Sequence, residues 1–204
     1  MPRKFIAVAG NMGVGKTSLV EWLCQTYGFT PFVEPNATNP YLDDFYQDFK
    51  RWSFHSQIYF LTHKFRLHRE LEKCAHTVVQ DRTIYEDAEI FARNLHRSRY
   101  MNKRDFQTYM ELYQVMQREL TPPDLMIYLQ CPVPVIKKRI KLRGRANEQQ
   151  VPDSYVRRLN GLYEEWIQSY TLSPLLIWPT DKMDYLTDLV HHLQFRKALE
   201  AFLV

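Results

Sequence analysis

The stretch that most constrains the fold is "FIAVAGNMGVGKTSL", residues 5–19. Five apolar residues run directly into Gly10-Asn11-Met12-Gly13-Val14-Gly15-Lys16-Thr17-Ser18. The spacing Gly-x-x-x-x-Gly-Lys-Thr is the phosphate-loop pattern, which requires a buried strand before it and a helix after it. Glycines let the backbone N–H groups of residues 10–18 turn inward around phosphate oxygens, and the helix N-terminus adds positive potential. Lys16 is placed to reach the outer phosphates of ATP or another nucleoside triphosphate, and the Thr17 hydroxyl to bind Mg²⁺.

Short apolar runs recur at 29–33, 77–80, 125–129 and 175–178. None alternates cleanly, as expected of strands covered on both faces. Segments of helical period lie at 16–27, 52–73, 103–119, 132–142, 153–169 and 183–203. Alternation of short strands with long helices predicts a doubly wound α/β fold. We therefore expect a five-stranded parallel sheet wrapped by helices, in one domain spanning 1–204. The chain has 204 residues, enough for a single core. Its net charge of +4 is too small to argue for nucleic acid. Three cysteines without metal or redox spacing, and no run of membrane-spanning length, predict a cytoplasmic protein.

Phosphate loops serve switches and transferases alike, so the chemistry must come from elsewhere in the chain. "NKRD" at 102–105 matches a guanine-reading tetrapeptide but follows the polar "HRSRY" and opens a helical pattern. Asn102 reads better as a helix N-cap. No glycine has Asp three residues before it, so the γ-phosphate sensor of a GTPase switch is missing. A kinase needs cations around the migrating phosphoryl group. "KKRIKLRGRANEQQV" supplies Arg139, Arg143 and Arg145 beside Gly144, an arginine-rich lid at about 143–149. Lys137, Lys138 and Lys141 read as a solvated face. Glu34, directly after the second apolar run, is placed to act as a base at the carboxyl edge of the sheet.

The segment "VVQDRTIYEDAEIF" (78–91) is unusual in closing a buried strand with an Asp-Arg pair. Together with "VEP", "NPYLDDFY", "RWSFHSQIYFL" and "LRGRANEQ", it resembles the deoxyribonucleoside kinases, most closely the bacterial deoxyadenosine/deoxycytidine kinases. The likeness runs over nearly the whole chain. It implies ATP-dependent phosphorylation of the 5′-hydroxyl of a deoxyribonucleoside, deoxyadenosine first and deoxycytidine second, for nucleotide salvage. It also implies Glu34 as general base, Arg82 as the arginine on that base and the reacting oxygen, and Asp81 as the acidic organiser of Mg²⁺. Glu is frequent in the family where this chain has Asp81, which leaves direct and water-mediated metal contact both open. Tyr46 and Glu148 match the pair on the sugar 3′-hydroxyl, Gln57 and Asp87 the base readers, and Phe91 the stacking ring. Asp184 and Tyr185 match a loop over the donor adenine. His63 and Lys64 lie near the expected base edge, and Glu86 and Glu89 read as solvated or ion-paired. Homodimers built through the helix at 52–73 are implied too. A thymidylate-type nucleoside-monophosphate kinase shares the loop and lid, but "RWSFHSQ" and the Gln57/Asp87 pair argue against it.

Overall fold

The computed structural model describes residues 2–33, 39–144, 151–185 and 187–203. Strands β1 (Phe5–Ala9), β2 (Thr30–Val33), β3 (Val78–Asp81), β4 (Leu125–Gln130) and β5 (Leu175–Pro179) form one sheet in the order β2-β3-β1-β4-β5. The pairings of β1 with β3 and β4, and of β4 with β5, are parallel. The connecting helices are α1 (Lys16–Tyr27), α2 (Leu42–Gln47), α3 (Phe49–Glu72), α4 (Ile84–Glu86), α5 (Arg93–Arg97), α6 (Lys103–Arg118), α7 (Val133–Arg143), α8 (Asp153–Gln168) and α9 (Leu189–Leu203). A π-helical run, Asp87–Ala92, separates α4 from α5.

The chain divides into two compact units. The first holds the chain up to Pro31, Ala75–Asp81 and the chain from Pro122 onward. Every residue of β1 is buried, the pattern of a central strand covered on both faces. Its start is pinned by Asp124, whose carboxylate accepts from the Phe5 N–H at 2.6 Å. Ile6, Val8, Leu19, Leu23, Val79, Ile127, Trp178 and Phe195 form the core between one sheet face and helices α1 and α9. Burial of each such side chain contributes about 1.5–3 kcal/mol. Val8 sits level with Asp81 and Ile127, so β3 runs one residue past the expected boundary and ends on the carboxylate. The loop after β1 therefore leaves the carboxyl edge at the centre of the sheet, where strand order switches direction.

The second unit holds Phe32–Cys74 and Arg82–Thr121. Its longest element, α3, has 24 residues and begins at Phe49, with the Asp48 carboxylate accepting from the Arg51 N–H. Helix α6 opens on Asn102, whose side chain accepts from the Asp105 N–H at 2.9 Å. The "NKRD" tetrapeptide is thus a helix start, as its polar context predicted. The helical segment expected at 103–119 is α6, and the stretch before it consists of α4, the π-helical run and α5.

Candidate active site

In the first unit the phosphate loop curls around its own lysine. Gly10 has φ 144°, and a Cβ there would stand 2.9 Å from the Leu129 carbonyl oxygen. At Gly13, with φ 73°, a Cβ would meet Ile140 Cγ1 at 2.9 Å. Only glycine fits both places. Lys16 is 8% exposed, and its ammonium donates to the carbonyls of Gly10 at 2.8 Å and Asn11 at 3.1 Å. The Asn11 side chain faces the other way: its amide donates to Val156 O and Asn160 Oδ1, tying the loop to α8. The Thr17 hydroxyl is exposed and donates to Asp81 Oδ2 at 3.2 Å. A hydroxyl beside a carboxylate is a hard oxygen pair of the kind Mg²⁺ takes alongside phosphate and water.

Beside the loop lies a pocket of about 340 Å³ whose wall includes Gly15, Ser18, Arg139, Arg143, Asp184 and Tyr185. Arg139 is held there by the fold. Its guanidinium donates to Val14 O at 3.2 Å, Thr180 Oγ1 at 2.9 Å and Thr180 O at 2.6 Å. Arg143, at the end of α7, is exposed. Tyr185 stacks on Phe195 and donates to Gly15 O at 3.4 Å. Burial pushes its phenol well above the ordinary tyrosine range, so it stays neutral. Asp184 accepts from the Thr187 N–H and hydroxyl, which folds the pocket's outer loop. Lys137, expected to be solvated, pairs with Asp153 at the surface.

In the second unit the inward face of α3 is polar. Ser53, Ser56, Gln57, Lys64 and His68 are all buried at helical spacing. Buried polar groups are costly unless bonded, and most of these are. Ser56 accepts from Asn39, Lys64 donates to the Arg82 carbonyl, and His68 meets the Thr121 carbonyl. Among the described residues Gln57 Oε1 has no hydrogen-bond partner. Arg82 has φ 63°, a left-handed conformation that costs a non-glycine residue about 1–2 kcal/mol. Its guanidinium lies 4.6 Å from the centroid of Phe91. Asp87 is 5% exposed and opens the π-helical run, a distortion frequent at functional sites. Burial first, and the nearby Asp87 charge second, push the Tyr109 phenol far above its usual range. His63 stacks on Tyr59.

One expectation changes here. Glu86 is not solvated: it is fully buried, and its carboxylate accepts from the Thr83 N–H at 3.0 Å. Glu89 does pair, with Arg93 at 2.6 Å. Tyr46 is 63% exposed, its ring edge-on to Phe49. Glu34, Arg145 and Glu148 lie outside the described residues.

The family model for deoxynucleoside kinases matches residues 6–203. The chain belongs to the deoxynucleoside kinase family. This kinase is 41% identical over 187 residues to the deoxyadenosine/deoxycytidine kinase of Bacillus subtilis, covering 90% of this chain and 85% of that protein. It is 32% identical to the deoxyguanosine kinase of the same organism, over 78% of this chain and 76% of that one. Deoxyadenosine kinase from M. mycoides with bound dATP superposes with a TM-score of 0.83 at 28% identity, covering 96% of this chain and 99% of that chain. The enzyme is a phosphotransferase acting on deoxynucleosides with a nucleotide donor, and its P-loop and five-stranded parallel sheet are those of its relatives. Sequence reasoning missed three features of the kinase: the burial of Glu86, the commitment of Lys64 to a main-chain carbonyl, and the inward turn of Arg139. The first two carried a signal, since polar residues at 53, 57, 64 and 68 share one helical stripe and Thr83-x-x-Glu86 is a capping box.

Proposed function

We propose that this single-domain kinase transfers the γ-phosphoryl group of ATP to the 5′-hydroxyl of deoxyadenosine, with deoxycytidine as second substrate. The observation behind the base preference is Gln57 Oε1, a buried acceptor with no hydrogen-bond partner among the described residues. An exocyclic amine satisfies such an oxygen. Adenine and cytosine present one, whereas guanine and thymine present a carbonyl at the corresponding place. Asp87 adds a second acceptor, and the Gln57 amide donates to a ring nitrogen, as amides do with adenine. Phe91 offers the face on which the base stacks, and Tyr46 with Glu148 takes the sugar 3′-hydroxyl.

Glu34 removes the proton from the 5′-hydroxyl as the oxygen forms its bond to the γ-phosphorus and the bond to the departing ADP breaks. Lys16, Arg82, Arg143 and Arg145 meet the negative charge spread over the phosphoryl oxygens. Thr17 and Asp81 would hold Mg²⁺, which when bound neutralises charge on the donor phosphates. Arg139, Asp184 and Tyr185 shape the donor pocket. The working form is a cytoplasmic homodimer, which light scattering on the purified enzyme checks. Among the described residues no helix is long and apolar enough to cross a membrane.

The test is an ADP-release assay with deoxyadenosine, deoxycytidine, deoxyguanosine, thymidine and dAMP. Deoxyadenosine should give the highest kcat/KM. Dominant turnover of thymidine would overturn the base assignment, and dominant turnover of dAMP the acceptor class.

A further inference from the structure

Helix α8 carries two polar side chains one turn apart, Asn160 and Glu164, and both are half-buried. Asparagine is a poor helix former in a helix interior, where its side chain competes for backbone groups. Here the side chain is used on another segment. The Asn11 amide of the phosphate loop donates to Asn160 Oδ1 at 3.3 Å and, one turn earlier on α8, to Val156 O at 3.1 Å. Asn11 Oδ1 accepts from the Met12 N–H at 2.9 Å, so both ends of this buried amide are bonded.

Glu164 reaches the end of β4. Its carboxylate accepts from the Gln130 amide at 2.9 and 3.1 Å and from the Tyr128 hydroxyl at 3.0 Å. Gln130 is the last residue of β4, and its main-chain carbonyl accepts from the Thr180 N–H at 2.9 Å and the Thr180 hydroxyl at 3.2 Å. A hydroxyl has one hydrogen to give. With it spent on Gln130 O, the lone pairs of Thr180 Oγ1 are left for Arg139, which donates to them at 2.9 Å and to Thr180 O at 2.6 Å. The same guanidinium donates to Val14 O, back in the phosphate loop. The bonds thus form a closed circuit from Asn11 through α8, Gln130, Thr180 and Arg139 to Val14. Val14, Arg139 and Thr180 line the donor pocket. We propose that Asn160 and Glu164 are positioning residues for the phosphate donor: from α8 they hold the phosphate loop and the Arg139 guanidinium in one fixed relation before ATP enters. This rests on the role given above to Arg139 in the donor pocket. A site ordered in advance has less freedom to lose on binding, so the circuit acts on ATP and not on the nucleoside.

Three kinds of variant test the circuit. Glu164→Leu keeps the bulk but removes both acceptor oxygens. It should raise KM for ATP by about tenfold, the scale of one lost hydrogen bond, with kcat and KM for deoxyadenosine nearly unchanged. Asn160→Ala should raise KM for ATP by about threefold without lowering Tm, because alanine is the better helix former. Thr180→Val, which loses the hydroxyl, should match Glu164→Leu, whereas Thr180→Ser, which keeps it, should stay near wild type. In an Arg139→Ala background Glu164→Leu should add nothing to KM for ATP, because the group it positions is gone.

Wild-type KM for ATP in Glu164→Leu overturns the proposal. So does a rise in KM for deoxyadenosine as large as that for ATP, which marks a general loosening of the fold. An unchanged KM for ATP in Asn160→Ala breaks the circuit at the phosphate loop and overturns it as well. If Glu164→Leu does not fold, the Thr180 pair decides: equal KM for ATP in Thr180→Val and Thr180→Ser overturns it. If Arg139→Ala alone keeps the wild-type KM for ATP, the role of Arg139 fails instead. The circuit is then judged on a crystal structure of Glu164→Leu, where unchanged bonds from Arg139 to Thr180 refute it.

Discussion

The Thr17 hydroxyl donates to Asp81 Oδ2 across 3.2 Å, joining the first turn of α1 to the last residue of β3. That places two hard oxygens beside the phosphate loop. Asp81→Asn keeps the hydrogen bond and the size but removes the charge that would attract a divalent cation. The Mg²⁺ concentration for half-maximal rate should rise by about tenfold, a loss of about 1.4 kcal/mol of binding. Rate measured against Mg²⁺ at fixed ATP checks this. A superimposable titration curve would remove Asp81 from the metal site.

Lys16 is bonded within its own loop to Gly10 O and Asn11 O. When a triphosphate enters, the ammonium exchanges these carbonyls for phosphate oxygens, which carry full charge. Lys16→Ala should lower kcat/KM by about 10³-fold or more, with the far-ultraviolet circular dichroism of the folded enzyme retained. Turnover near the wild-type rate rules out the phosphate-loop assignment.

Arg139 and Arg143 lie one helical turn apart yet differ in what they hold. Arg139 binds Val14 O, Thr180 Oγ1 and Thr180 O, linking the phosphate loop to the segment after β5. Arg139→Ala leaves a buried carbonyl set without its donor and should cost about 1–3 kcal/mol of stability, together with a raised KM for ATP. Arg139→Lys should rescue little, since an ammonium cannot reproduce the planar fork. Arg143 is exposed, so Arg143→Ala should leave Tm unchanged and lower kcat. Equal Tm losses in both variants would contradict this division.

The phosphate loop and the strand positions were readable because glycine spacing and apolar runs are local signals. The same holds for Asn102, where one polar residue before a helical period marks a cap. Arg139 was legible as a cation, but its bonds to Val14 and Thr180 were not, because a basic helix does not announce which of its arginines turns inward. The π-helical run at Asp87–Ala92 was hidden for a related reason: one extra residue per turn over six residues barely disturbs the apolar period. The polar stripe of α3 marks Lys64 as inward-facing, but which carbonyl it bonds, that of Arg82, has no sequence signature, since every residue carries that acceptor.

His68 gives the enzyme a pH-dependent stability. It is fully buried on α3 against the Thr121 carbonyl, and burial holds its imidazole below the ordinary histidine value despite Glu72 nearby. The unfolded chain takes up this proton near pH 6.5, the folded protein only at lower pH. Between those values the unfolded state binds more protons, so stability is present above about pH 6.5 and is lost as pH falls. Tm should therefore drop between pH 7.5 and 5.5. His68→Gln, which keeps a donor for the carbonyl but does not titrate, should show a smaller drop. Parallel Tm profiles for the two proteins would exclude His68 as the source.

Asp87 carries the riskiest expectation, the choice of base. It is 5% exposed at the head of the π-helical run, in the same unit as Gln57 and Phe91. An ionised carboxylate accepts hydrogen bonds and donates none. Facing the exocyclic amine of adenine or cytosine it gains a charge-assisted bond; facing the carbonyl of thymine it leaves a buried charge unsatisfied. Sites built this way reject the mismatched analogue by several orders of magnitude. Removing the carboxylate takes away both the attraction and the rejection. In Asp87→Ala the ratio of kcat/KM for deoxyadenosine over thymidine should fall by about 10²-fold or more, mainly through the loss for deoxyadenosine. If Asp87→Ala keeps the wild-type ranking of the four nucleosides, then Asp87 does not read the base, and Gln57 must carry the selection without it.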